Sequence, residues 1–238
     1  MTLAPSFTHG GTSLKVQAFD TETLRLSDEV TGGFDNPQAM GLSVLALHGV
    51  TPAVYIPDER VGEAISEDFQ QELLTKEAVM QRFDEADLIV SFNGKHFDVG
   101  VLEGAGLDLS VWADKHFDLL ATFLATCGHR VSLNNLAKYT LGEEKLLNSE
   151  HAVLLWRAGL TLLEDRQERD TVEARITGAS HLFRTVIRYC QDDAKKVNDL
   201  FWHAARHDGQ VRFWDRNERG VRTAPLKIPV FARKGERG

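Results

Sequence analysis

Leu14-Lys15-Val16-Gln17-Ala18-Phe19-Asp20 is the stretch on which the fold turns. Apolar and polar residues alternate and the run then becomes apolar, which predicts a largely buried β-strand. Asp20 and Glu22 stand two apart at its end, so the period of two points both carboxylates to the same face. Two like charges gathered on a buried strand are unfavourable unless something positive pairs with them. For hard oxygen donors that partner is Mg²⁺ or Mn²⁺. A solvated pair at a strand end is the plainer alternative, and a lone Asp-x-Glu does not exclude it.

Working outward, Leu42 to His48 is rich in Val and Leu, and Pro52 to Pro57 carries Ala-Val-Tyr-Ile between two prolines. Three neighbouring strands with short connections predict an antiparallel meander. A helix is expected over about Asp68 to Asp84, on the apolar positions Phe69, Leu73, Leu74, Val79 and Phe83. Leu88-Ile89-Val90-Ser91-Phe92 then reads as a buried strand. Helices are expected at Phe97 to Gly106, Leu119 to Cys127, Ser132 to Leu141 with Ser132 as N-cap, Leu160 to Arg175, and about Ser180 to His207. Sheet first and helices afterwards predicts an α/β fold, a mixed sheet of meander plus parallel strands flanked by helices. From Gly209 onward, Val211, Phe213 and Trp214 followed by Lys227-Ile228-Pro229-Val230-Phe231 suit a hairpin or a docking tail equally.

Composition narrows the function. The 238 residues, 42% hydrophobic and 26% charged, can bury a sizeable core. No apolar stretch has the length of a membrane span and no basic-then-apolar leader opens the chain, so a cytoplasmic protein without a membrane role is expected. Cys127 and Cys190 form no CxxC pair, which argues for a reducing compartment and against a zinc or disulfide scaffold. A net charge of -8 argues against a protein that coats nucleic acid. It does not exclude an enzyme whose carboxylates hold cations, because bound metals reverse the local sign. From His203 to the end there are nine Lys/Arg against four Asp/Glu. The expected organisation is therefore a main domain over 1–207 and a basic C-terminal extension over 208–238, the first place to look for phosphate contacts. No HxxxH pair supports a zinc hydrolase, and no phosphate-binding G-x-x-x-x-G-K-[S/T] loop is present. His151, Trp156, Trp202 and Trp214 have rings able to stack on bases, although core packing is the more common role for tryptophan.

Two further carboxylate signals follow. Asn93-Gly94 makes a tight turn off the fourth strand, and Asp98 falls in the first turn of the next helix. Dipole compensation alone would explain an aspartate there, yet adjacent strand ends deliver it to the rim that carries Asp20 and Glu22. In the last helix Phe183, Val186, Cys190, Val197, Leu200 and Phe201 mark one apolar face. Asp193 lies within that face and requires a partner, with Tyr189 one turn earlier beside it, whereas Asp192 points away and is expected to be solvated.

In these residues the chain resembles the four-carboxylate (DEDD) 3′–5′ exonucleases of the ribonuclease H-like superfamily. Phe19-Asp20-Thr21-Glu22-Thr23 is similar to the first motif, Asn93 to Asp98 to the second, and Tyr189 to Asp193 to the third in its tyrosine-containing (DEDDy) subtype. Thr31 to Phe34, Met40-Gly41, Ser91 to Asp98, Ser132 to Leu136 and Leu141-Gly142 are closest to predicted bacterial ribonuclease H-like nucleases found alone or beside helicases. The resemblance implies a ribonuclease H-like fold and a 3′–5′ exonuclease acting on single-stranded ends of DNA or RNA, with a helicase as possible partner. It implies two divalent cations, Mg²⁺ or Mn²⁺, held by Asp20, Glu22, Asp98 and Asp193. Asp20 would bridge both, Glu22 and Asp193 would serve the one that activates water, and Asp98 the other. Tyr189 would orient the water, since a phenol with a pKa near 10 is a poor base at neutral pH. Thr21, Asn93 and Lys95 are the expected substrate contacts, and Asp118 is expected either to support the site or to hold local structure. A structure-selective endonuclease with the same metals, or a nucleic-acid-binding module without activity, are the competing expectations.

Overall fold

The computed structural model describes residues 8–9, 12–49, 51–66, 69–144, 147–164 and 171–229. Two short paired strands, β1 (Thr8–His9) and β2 (Thr12–Ser13), precede β3 (Val16–Thr23), the strand that the opening alternation predicts. β3 pairs antiparallel with β4 (Leu42–His48), and β4 with β5 (Ala53–Tyr55), so the meander is present. Helix α1 (Glu59–Ile65) crosses to β6 (Glu72–Leu74), parallel to β5. Then α2 (Lys76–Glu85) leads to β7 (Leu88–Ser91), parallel to β3 on its other side. Finally α3 (Asp98–Gly104) leads to β8 (His116–Asp118), parallel to β7. The sheet order β6-β5-β4-β3-β7-β8 places β3 in the interior of a mixed six-stranded sheet.

The remaining elements are α4 (Leu119–Cys127), α5 (Leu133–Thr140), α6 (Ser149–Glu164), α7 (Val172–Arg206), β9 (Gln210–Asp215) and β10 (Gly220–Pro225). Helices cover both faces. Val16 and Ala18 of β3 pack with Leu119, Phe123, Val197 and Phe201 of α4 and α7, whereas Phe19 packs on the opposite side with Phe83, Leu102 and Trp112. Alternation therefore sends Asp20 and Glu22 toward α7 and Thr21 toward α3. Between Glu22 and Thr23 the register against β4 shifts, a bulge at the strand end that carries the carboxylates. No helix among the described residues is long and apolar enough to cross a membrane.

Three expectations need correction. The helix expected from Asp68 is half strand: β6 occupies Glu72–Leu74, and α2 starts only after Thr75, whose hydroxyl accepts from the Ala78 amide at 3.2 Å; Asp68 itself lies outside the described residues. An edge strand of three residues is too short to show period two and was absorbed into the helical pattern beside it. The helix expected at Leu160 to Arg175 is two elements, since α6 ends at Glu164 and α7 begins after its N-cap Thr171, with 165–170 outside the described residues. α7 starts well before Ser180 because its first turns are solvated, Val172 and Ile176 being exposed, and so carry no apolar stripe. Gly159 lets α6 approach α7 closely: a Cβ there would stand 2.6 Å from the Phe183 ring.

The C-terminal segment is a hairpin. Val211, Phe213, Ala224 and Leu226 join the core cluster beneath α4 and α5, and Phe213 meets Phe123 edge-on at 5.0 Å. Side chains of α5 complete the β9 edge. Thr140 Oγ1 donates to the Arg212 carbonyl at 2.7 Å and accepts from its amide at 2.9 Å, and the Asn135 amide does the same for Trp214 at 2.9 and 2.7 Å. Backbone groups that would otherwise invite another strand are thereby satisfied. Phe213→Ala is expected to lower the unfolding free energy by about 3–5 kcal/mol in a single urea transition; a variant as stable as the parent would show that the hairpin contributes nothing to the main core.

Candidate active site

At the C-terminal end of β3 a cavity of about 850 Å³ is lined by Asp20, Glu22, Asp98, Tyr189 and Asp193, with Asn93, His96, Phe97, Arg25 and Arg130 among its other walls. Three elements supply the carboxylates: β3 the first two, the first turn of α3 the third, and the middle of α7 the fourth. They converge because β3 and β7 run parallel and end at the same edge, while α7 packs across the β3 face that bears Asp20 and Glu22. Cys190 fastens this crossing, its buried thiol donating to the Asp20 carbonyl at 3.3 Å.

Each carboxylate is held differently. Asp98 is buried, which pushes its pKa up to about 6. One of its oxygens, Oδ1, accepts both the Thr21 hydroxyl at 2.5 Å and the Thr21 amide at 3.1 Å. Thr21, expected to meet substrate, thus gives its hydroxyl to Asp98. Tyr189 sits against Glu22, Asp193 and Asp20, and burial followed by these charges drives its pKa well above that of an ordinary phenol. It stays protonated, keeps its hydrogen to donate, and is no general base. Asp193 also has a cationic neighbour that the sequence did not disclose: Lys196 Nζ, buried to 1% exposure, lies 3.4 Å from Asp193 Oδ1 and bonds Asp192 at closer range. Asp192 is accordingly half-buried and paired, contrary to its expected solvation. The spacings i,i+3 and i,i+4 were the available signal.

The Asn93–Asp98 turn is fixed from below. Asn93 adopts a left-handed φ of 69°, and its carbonyl accepts from the His96 and Phe97 amides at 3.2 and 3.0 Å. Asp118 holds the turn: its Oδ1 accepts from the Asn93 amide at 2.9 Å and its Oδ2 from the Lys95 amide at 3.0 Å, while Oδ1 also caps α4 through Leu120 at 2.9 Å and Ala121 at 3.1 Å. It is a positioning residue that ties the second motif to the next helix. Gly94 is required here, because a Cβ would stand 2.4 Å from Ser91 Oγ. That hydroxyl meets buried His116 Nε2 at 2.8 Å, and burial lowers the His116 pKa to about 4.

Arg130 donates to Asn93 Oδ1 at 2.9 Å and was not anticipated; nor was Phe34, 63% exposed at the mouth and 6.0 Å from the Phe97 ring. Arg157 binds the 24–29 segment to α6 through the Leu24 carbonyl at 2.8 Å and both Glu29 oxygens. These side chains come from loops and helices that only folding brings together. Lys95 is exposed and does not line the cavity. Trp156 and Trp202 are core residues, which removes them as base-stacking candidates. Among the described residues no three of His, Cys, Asp or Glu are gathered into a ready-made cation site. The donor set nevertheless fits a divalent cation, being hard carboxylate oxygen at a buried strand end with one Asp98 oxygen already anchored.

A protein-family model, RNase_H_2 of the RNase_H superfamily, matches residues 39–205, well over half of the chain. The matched span begins after β3, so Asp20 and Glu22 lie outside it. No curated protein matches the chain.

Asp118→Ala should cost about 2–3 kcal/mol by removing a helix cap and the acceptor for two loop amides, with Asp118→Asn recovering part of the loss in the same unfolding assay. His116 gives a pH signature. Its unfolded form takes up a proton near pH 6.5 and its folded form only near pH 4, so falling pH favours unfolding across that window. The stability of the wild-type chain relative to His116→Phe should fall by about 3 kcal/mol between pH 7 and 4; parallel curves would exclude a buried neutral imidazole.

Proposed function

The chain belongs to the ribonuclease H superfamily, and from that premise we propose that it is a metal-dependent nuclease that shortens single-stranded nucleic acid from the 3′ end. Asp20, Glu22, Asp98 and Asp193 would hold two divalent cations, Mg²⁺ or Mn²⁺. The observation that carries this reading is the single cavity into which all four carboxylates and Tyr189 converge.

When bound, the cations supply activation of the attacking water and neutralisation of the leaving oxyanion. The rest is the work of the chain. Asp20 would serve both ions, Glu22 and Asp193 the one beside the attacking water, and Asp98 the other. Thr21 holds Asp98 by one oxygen, so the position of the second is set before any ion arrives. Tyr189, kept protonated by burial and by the surrounding carboxylates, donates a hydrogen bond that orients the water and takes no proton from it. Lys196 balances the helix side of the site by its contacts to Asp192 and Asp193. Asn93, clamped by Arg130 and Asp118, is the contact assigned to the terminal nucleotide, and exposed Lys95 is assigned to a phosphate beyond the cavity. Action at an end is supported by the wall on the Arg25–Met40 side, where Arg157 fastens the 24–29 segment and Phe34 overhangs the mouth.

Purified chain incubated with end-labelled single-stranded DNA or RNA should give a ladder shortening from the 3′ end with Mg²⁺ or Mn²⁺, abolished by EDTA. Asp20→Ala and Asp193→Ala should each lower the rate by about a thousandfold or more, and Tyr189→Phe by about ten- to a hundredfold with unchanged stability. Internal cuts would replace the exonuclease by an endonuclease using the same residues. Binding without cleavage would overturn the enzyme reading.

A further inference from the structure

The β9–β10 hairpin presents two faces of opposite character. Val211, Phe213 and Asp215 point inward, while Arg212 and Trp214 point outward, opposite Thr223 and Val221 on β10. Trp214 is 38% exposed and its indole stacks on Tyr139 of α5, with centroids 6.1 Å apart and planes inclined by 27°. Its backbone amide and carbonyl are both held by Asn135, so the ring pair is a fixed platform, with the indole partly exposed to solvent. Four arginines belong to the hairpin. Arg222 answers the two acidic residues, bonding Asp215 at 3.2 Å and Glu218 at 2.6 Å. Among the described residues no ion pair engages Arg212, Arg216 or Arg219. Arg219 is held at a left-handed φ of 50° in the turn, a conformation that glycine or asparagine would adopt with less strain. On a chain of net charge -8, three exposed arginines on the hairpin that carries a stacked aromatic pair are a local reversal of sign.

The hairpin is tied to the candidate active site from its inner side. His129 packs on Phe213 from the inner side of the hairpin, with ring centroids 5.8 Å apart. Its neighbour Arg130 lines the carboxylate cavity and bonds Asn93. Residues 129 and 130 thus connect the inner side of the hairpin with the cavity wall by a single peptide bond. A stacked, part-exposed aromatic pair on a hairpin that also carries exposed guanidinium groups suits the bases and phosphates of one strand, whereas an acidic polypeptide would use the arginines and leave the aromatic pair idle.

We propose that the outer face of the β9–β10 hairpin, with Trp214 and Tyr139 as a stacking platform and Arg212, Arg216 and Arg219 as phosphate contacts, is a secondary binding site for the single nucleic-acid strand whose end enters the carboxylate cavity. The proposal rests on the nuclease reading for the source of its ligand, but its test does not depend on cleavage. Binding of a fluorescently labelled single-stranded oligonucleotide to the full chain carrying Asp20→Ala is measured by anisotropy over a range of salt. Adding Trp214→Ala should weaken binding about tenfold. Adding Arg216→Ala with Arg219→Ala should lower the slope of log affinity against log salt by about 0.7 per arginine. In the cleavage-competent chain the same substitutions should raise KM for a long strand and leave hydrolysis of bis(p-nitrophenyl) phosphate, which reaches only the cavity, unchanged. Unaltered affinity and salt slope would overturn the hairpin site. Loss with the arginine pair but none with Trp214→Ala would overturn the stacking platform and leave a site of phosphate contacts alone. A wild-type chain that hydrolyses neither substrate yet still loses binding with Trp214→Ala would sink the nuclease reading alone.

Discussion

Carboxylates gathered at the end of a buried strand repel one another and lose their hydration together, and the architecture around this cavity follows from that conflict. Each group is given a different local answer. Asp98 takes two hydrogen bonds from one threonine, Asp193 has a buried lysine one turn along its helix, and Asp20 and Glu22 stand at the end of β3 beside a phenol that keeps its proton. A buried lysine ammonium is itself costly, so Lys196 and the aspartates at 192 and 193 stabilise one another as a set. All four carboxylates line one cavity, which therefore gathers negative charge.

The second motif shows how much of a site lies outside the groups that do chemistry. Asp118 touches none of the four carboxylates by hydrogen bond, yet its two oxygens gather the amides of Asn93 and Lys95 and cap α4. A single side chain thereby fixes the turn that aims Asp98 and the helix that underlies the neighbouring loop. Gly94 allows that turn to lie directly on Ser91, and His116 seals the contact from the adjacent strand. Such a stack has little slack, because each member is packed or hydrogen-bonded to the next.

The C-terminal hairpin illustrates a different division of labour. Its inner face fills the core beneath α4 and α5, and its edge is completed by Asn135 and Thr140 rather than by another strand. The outer face is free to be basic and aromatic because none of its side chains is needed for that packing. Separation of roles by the period of two lets sixteen residues serve both stability and recognition.

The central strand, the meander and the pairing of Asp20 with Glu22 on one face were legible in the sequence because alternation is a local property with a fixed period. The N-cap at Ser132 and the placement of Asp193 on the apolar stripe of the last helix were legible for the same reason. Short edge strands such as β6 and β8 were not, since three residues do not establish a period, and the true start of α7 was hidden by solvated first turns. Tertiary structure alone decided that Thr21 serves Asp98, that Asp118 holds the Asn93 turn, that Arg130 lines the cavity, and that Lys196, whose spacing only made the contact available, is buried beside Asp193. Those contacts join residues far apart in the chain, or depend on which way a helix rolls when it packs, and neither is encoded in any local pattern of side chains.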